Sequence, residues 1–135
     1  MKTKKKSTHL LFCLPLFFGA MLLLPPGFFA AEISSHYLSD KGKTIILQLS
    51  IGSPAPNTII VVQHLPPGSN VINSSPPHNT YKKKSEKIKW LIKNPTSGNM
   101  AIQLHLQDQV DAGSFPATVR YMDSRSGAFK ANRNR

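Results

Sequence analysis

The chain has 135 residues, with 17 Lys and Arg against six acids, five His and one Cys. That length allows one domain with a modest core, and a formal net charge of +11 favours encounter with anions without selecting a fold. A single cysteine excludes a disulfide framework and a cysteine-ligated zinc site.

Residues 1–31 read as an export signal because three regions follow one another in the required order. Lys2, Lys4, Lys5 and Lys6 form a positive start, residues 10–24 form an apolar run broken by Pro15 and small residues, and Pro25, Pro26 and Gly27 end it. The run has the length of a signal core and is short for a spanning helix. Cleavage is expected after Ala31, leaving Glu32 first; Phe29 stands where a small residue is preferred, so an uncleaved N-terminal anchor is the alternative. In either case the domain leaves the cytoplasm. Cys13 lies inside the apolar run and is not preceded by a lipoprotein acylation box, so the exported part has no thiol. Four of the 17 cations belong to the signal, which leaves 13 against six acids, a net charge of +7.

From Glu32 onward the apolar residues alternate with period two, and clusters of Pro, Gly, Asn and Ser separate the runs, the pattern of half-buried strands. Residues 43–51 place Ile45, Leu47, Leu49 and Ile51 on one face, and the cluster from Ser53 to Asn57 turns the chain into a β-branched strand at 58–65. Pro66, Pro67 and Gly68 stop that strand, because neither proline can donate to a ladder. A short strand is expected at 71–75, then a turn at 76–79 and a lysine run leading into 86–93. There Ile88, Trp90 and Ile92 face one way, and Lys87, Lys89 and Lys93 the other. After the turn at 94–99, residues 100–107 put Ile102, Leu104 and Leu106 inward, and residues 115–122 do the same for Phe115, Ala117, Val119 and Tyr121. A turn at 124–127 and a last short strand at 128–130 complete a domain expected to span 32–130, followed by a basic tail at 131–135. Seven or eight short strands without a helix predict an all-β fold, an immunoglobulin-like β-sandwich.

The run Ile59 to Gly68 ending in Leu65-Pro66-Pro67-Gly68, the short strand closing in Ser75-Pro76, the strand centred on Trp90 and the alternation at 100–106 follow one another in a set order. This order resembles the immunoglobulin-like repeat domain of bacterial surface and outer-membrane proteins, a family long labelled a domain of unknown function. The resemblance covers residues 58–106 and implies a sandwich on a bacterial envelope or cell surface, with no catalytic residues to carry over. Members usually occur as tandem arrays, whereas this chain shows one copy.

Lys82, Lys83 and Lys84 precede the strand whose outward face carries Lys87, Lys89 and Lys93. Together they predict a basic surface, with strand residues two apart separated by roughly 7 Å, suited to an acidic glycan, lipid headgroups or an acidic protein. Arg133 and Arg135 in the tail add weakly to it. Edge-strand lysines also serve to block sheet-to-sheet aggregation. No aromatic interleaves with these lysines, so nucleic acid is not favoured. Trp90 shares parity with Ile88 and Ile92 and reads as core, and the histidines lack metal-ligand spacing. Asp108, Asp111 and Asp123 read as solvated turn residues rather than a calcium site. No nucleophile elbow or paired-carboxylate cleft is indicated, so neither an enzyme nor a cofactor is expected. The leading expectation is an exported, non-catalytic module acting in adhesion, assembly or scaffolding through envelope or surface proteins. The alternatives are a periplasmic or secreted binder of an acidic ligand through residues 82–93, and an accessory subunit of a pilus or secretion machine.

Overall fold

A computed structural model describes residues 32–123 and 126–133. The expected signal at 1–31 with Cys13, the turn residues Ser124 and Arg125, and Asn134 and Arg135 lie outside the described residues. Within them the strands are β1 (Ile33–Ser39), β2 (Lys41–Ile51), β3 (Thr58–His64), β4 (Val71–Ser75), β5 (Thr80–Lys82), β6 (Lys87–Lys93), β7 (Gly98–Asp111), β8 (Ala117–Met122) and β9 (Phe129–Arg133). They form two antiparallel sheets, ordered β1-β2-β7-β4 and β5-β6-β3-β8-β9. The sheets face each other across one core, the arrangement of a β-sandwich.

That core is what the period-two pattern dictates, since each strand turns every second side chain inward. From the first sheet come Ile33, Ile45, Leu47, Leu49, Ile51, Ile102, Leu104 and Leu106; from the second come Ile59, Val61, Ile88, Trp90, Ala117, Val119 and Tyr121, all buried. Ile92 is half-buried against them. Polar ties also cross between the sheets, among them those of Trp90 and Tyr37. Trp90 of β6 donates its indole N–H to the carbonyl of Pro76 at 3.1 Å and to Ser74 Oγ of β4 at 3.3 Å. Tyr37 of β1 donates its hydroxyl to Gln63 Oε1 of β3 at 2.6 Å and accepts from the amide of Ala117 on β8 at 3.1 Å. Gln63 is buried, and its amide donates to the carbonyls of His64 and Phe115. Each polar group of this hub thus has the partner that burial requires. Burial pushes the Tyr37 phenol above its ordinary range, which keeps it protonated and able to donate.

The turns follow their residues. Gly68 closes the Leu65-Pro66-Pro67-Gly68 stop with φ of 81°, a left-handed conformation that a side chain disfavours, and its amide donates to Glu86 Oε1 at 3.2 Å. Several segments differ from the sequence reading: the strand expected from Phe115 begins at Ala117, Phe115 ending a 3-10 turn at Ala112–Ser114, and β7 runs past 107 to Asp111. β1 is an edge strand that period-two counting passes over, because Ser35 occupies the inward position between Ile33 and Tyr37. β5 lies within the expected approach to the lysine run: Tyr81 packs against the core and donates its hydroxyl to the Ser69 carbonyl at 2.6 Å. β9 continues to Arg133, so Ala131, Asn132 and Arg133, expected as a tail, pair with β8. Asn132 Nδ2 also donates to the carbonyl of Ile33 at 3.2 Å, which fastens β9 beside β1.

Candidate anion-binding face

The outer face of the five-stranded sheet is built by the residues of opposite parity to the core. Register fixes its rows, with neighbouring strands about 4.8 Å apart. Lys82, Lys87 and His64 lie side by side across β5, β6 and β3. The next row runs Thr80, Lys89, Val62, Thr118 and Arg133 across all five strands. Beyond it come Leu91, Ile60, Arg120 and Ala131, and finally Lys93 paired with Thr58, with Met122 paired to Phe129 on β8 and β9. Six cations therefore share one face: Lys82, Lys87, Lys89, Lys93, Arg120 and Arg133, all exposed.

No exposed acid stands among them, since Asp123, at the end of β8, is buried against Lys130. Glu32 and Asp40 flank β1, Glu86 holds the Gly68 amide, and Asp108 and Asp111 belong to β7. Ion pairs among the described residues are Lys41 with Asp111 at 3.8 Å and Lys130 with Asp123 at 3.0 Å, and neither involves the six. Lys82 and Lys87 stand directly opposite each other, an unfavourable like-charge pair. The outer face of the other sheet is the reverse. Ser34, Ser50 and Asn99 form one row, His36, Gln48 and Ala101 the next, then Ile46, Gln103 and Ser75, then Thr44, His105 and Asn73, none of them charged. Past the bulge the last pair, Lys41 and Asp111, is an ion pair with no net charge. Positive charge is concentrated on one side of the sandwich.

The sequence reading placed six lysines on one surface, and the structure divides them. Lys82, Lys87, Lys89 and Lys93 lie on the sheet face, while Lys83 and Lys84 are exposed on a single 3-10 turn, Lys83–Ser85, at its corner. Arg120 joins the sheet-face lysines from β8, outward by its parity opposite to Val119 and Tyr121. The apolar floor of Ile60, Val62 and Leu91 was missed because β3 and β6 are apolar on both faces, which conceals the outer set. β6 is also not the sheet edge along its first half. β5 pairs with Lys87, Ile88 and Lys89, and Asn79 covers the next groups, its amide donating to the Lys89 carbonyl at 2.9 Å and its Oδ1 accepting from the Leu91 amide at 2.6 Å. Protection of an open edge therefore does not account for Lys87 and Lys89.

Asp123 corrects its reading as a solvated turn residue. It is 2 % exposed and accepts from Lys130, a hydrogen bond that raises the Lys130 pKa. Asp111 accepts from the Gly113 amide at 3.1 Å and ends its strand. Among the described residues no three His, Cys, Asp or Glu side chains come together to hold a metal ion.

His64 reports the field of this face. Burial lowers its pKa, and the charges of Lys87 and Arg133 lower it further. Every charged group facing it from the neighbouring strands is a cation: Lys82 on β5, Lys87 on β6, Arg120 on β8 and Arg133 on β9. With its folded pKa below the unfolded value of 6.5, the neutral imidazole contributes stability in full above that pH. The contribution is lost as pH falls through 6.5 toward the folded pKa. A bound anion cancels the Coulombic part, so the His64 pKa is expected to rise on binding, and by linkage the anion binds more tightly as pH falls through the same window. Titration of the His64 ring resonances by NMR, with and without poly-glutamate, checks this; an unmoved midpoint would place the anion elsewhere.

The chain matches no protein-family model and no curated protein.

Proposed function

We propose that this chain is an exported, non-catalytic module that works by holding an acidic partner on the outer face of its five-stranded sheet. The observation that carries the reading is the division of charge: six cations with no exposed acid on one face, and no net charge in the paired rows of the other. A basic surface that served only solubility would interleave both signs over the whole molecule. Here like charges are set opposite each other across β5 and β6, at a cost in folding stability that an anionic partner offsets. The signal-like N-terminus and the resemblance to immunoglobulin-like repeat domains of bacterial surface proteins support placement at the envelope. An acidic surface protein, an acidic glycan and a headgroup layer share the chemistry this face recognises.

The reading is tested by titrating the purified protein with poly-glutamate across a range of salt concentrations. Affinity is expected to fall steeply as salt rises, since exposed charges are screened beyond about 10 Å at 0.1 M ionic strength, and an uncharged polymer should not bind. No binding of any acidic polymer at low salt would remove the proposal.

A further inference from the structure

The acidic-partner reading leaves one feature of the face without a role. Met122 and Phe129 are directly paired across β8 and β9, and they are 42 % and 69 % exposed. Beside them Ile60 and Arg120 line a groove of about 360 Å³. An exposed aromatic paired with an exposed thioether is an apolar patch in water, and such a patch among cations marks an interaction surface. A soluble polyanion would neutralise the lysines and leave Phe129 in water. The partner that suits both halves presents negative charge and hydrocarbon within a few ångströms of each other.

We infer that this end of the face docks on an anionic lipid surface, with Phe129 and Met122 entering the boundary between headgroups and acyl chains. Lys89, Lys93 and Arg120 meet the phosphates around them. The inference rests on the acidic-partner reading and names the partner's class. Charge complementarity favours it, because the one carboxylate lining the groove, Asp123, is buried against Lys130 and no exposed carboxylate stands among the cations to repel headgroups. An acidic peptide adding as a strand is less well served. Peptides bound that way gain affinity from an open edge, yet β9 is fastened beside β1 through Asn132 and Ile33, and β5 offers only three residues. Amphipathic docking needs no edge. It uses outward side chains, which here alternate with a core that stays intact.

The test is co-sedimentation of the purified protein with phosphatidylcholine vesicles, with and without phosphatidylglycerol, beside binding to poly-glutamate. Residues 1–31 are kept identical in all variants, so differences among them report the sheet face alone. The unaltered protein is expected to gain vesicle binding with phosphatidylglycerol. Met122→Ser with Phe129→Ser should cut that binding about tenfold or more and leave poly-glutamate binding unchanged. Lys89→Gln, Lys93→Gln and Arg120→Gln together should weaken both, by about fivefold per charge on the vesicles. Because all five side chains are outward, circular dichroism and the unfolding midpoint are expected to match the unaltered protein. Vesicle binding that ignores the Met122 and Phe129 changes would overturn the lipid inference. So would poly-glutamate binding without vesicle binding, which leaves the broader acidic-partner reading standing. Failure to bind either one removes both.

Discussion

Trp90→Ala is expected to destabilise the domain by about 3–5 kcal/mol, a large share of the roughly 5–15 kcal/mol that small domains have in total. The indole is 2 % exposed and sits among the buried strands of both sheets, so truncation leaves a cavity where the sheets face each other. Its hydrogen bonds are the smaller part of the loss. Ser74 Oγ still donates to the Pro76 carbonyl at 2.9 Å and keeps its contact with His78 Nδ1 at 3.1 Å, so both acceptors of the indole N–H retain partners. Trp90→Phe, which preserves much of the volume and drops the donor, should therefore cost only about 1–2 kcal/mol. Urea unfolding measures both. If the two variants unfold at the same midpoint, the hydrogen bonds and not the filled volume hold this contact together.

The same residue shows why much of the fold could be read in advance. In β6 a strict alternation of Ile88, Trp90 and Ile92 with Lys87, Lys89 and Lys93 leaves no doubt about which side is inward, because a lysine cannot occupy the core beside an indole. β2 and β7 are equally plain through Leu106. Alternation then stops at Gln107, Asp108 and Gln109, and there the ladder bulges, with residues 106–109 opposite Lys43 alone. No local pattern announces such a bulge, since it answers to the partner strand. β1, β5 and β9 were hidden for a related reason. An edge strand needs only one or two inward apolar residues, and its remaining positions are as polar as a loop. Ile33 and Tyr37, Tyr81 alone, and the side chain of Asn132 supply the inward contacts in those three strands.

The candidate face was half legible. Lysine parity in β6 is a local property and survives folding, but the joining of Arg120 and Arg133 to those lysines depends on the order β5-β6-β3-β8-β9. Strand order is set by which inward faces fit together, and outward residues have no part in it. The neutrality of the opposite sheet was likewise invisible until β1, β2, β7 and β4 were known to be neighbours. What the sequence showed as a lysine cluster is, in the folded chain, one flank of a broader cationic field with an apolar floor.

Reversing Lys87 and Lys89 to Glu together is expected to abolish binding while leaving the domain as stable as before or slightly more so. A carboxylate at position 87 faces Lys82 on one side and His64 on the other, turning a repulsive pair into an attractive one. Cross-strand charge pairs of this kind contribute about 0.2–1 kcal/mol each, so the urea midpoint should hold or rise. The His64 pKa should rise as well, because Lys87 is one of the charges that depress it. Binding moves the other way. Near an anionic surface each basic residue is worth about 1 kcal/mol, and changing two residues from positive to negative swings four units of charge. The loss should exceed roughly a hundredfold at low ionic strength and shrink as salt is added. A face shaped only by solvation loses nothing when its signs are exchanged, and a face shaped by folding loses stability. Stability kept and anion affinity lost is the outcome that belongs to a binding surface, because only there does the repulsion between Lys82 and Lys87 have a compensating use. A lower midpoint with binding intact would instead assign these lysines to the fold.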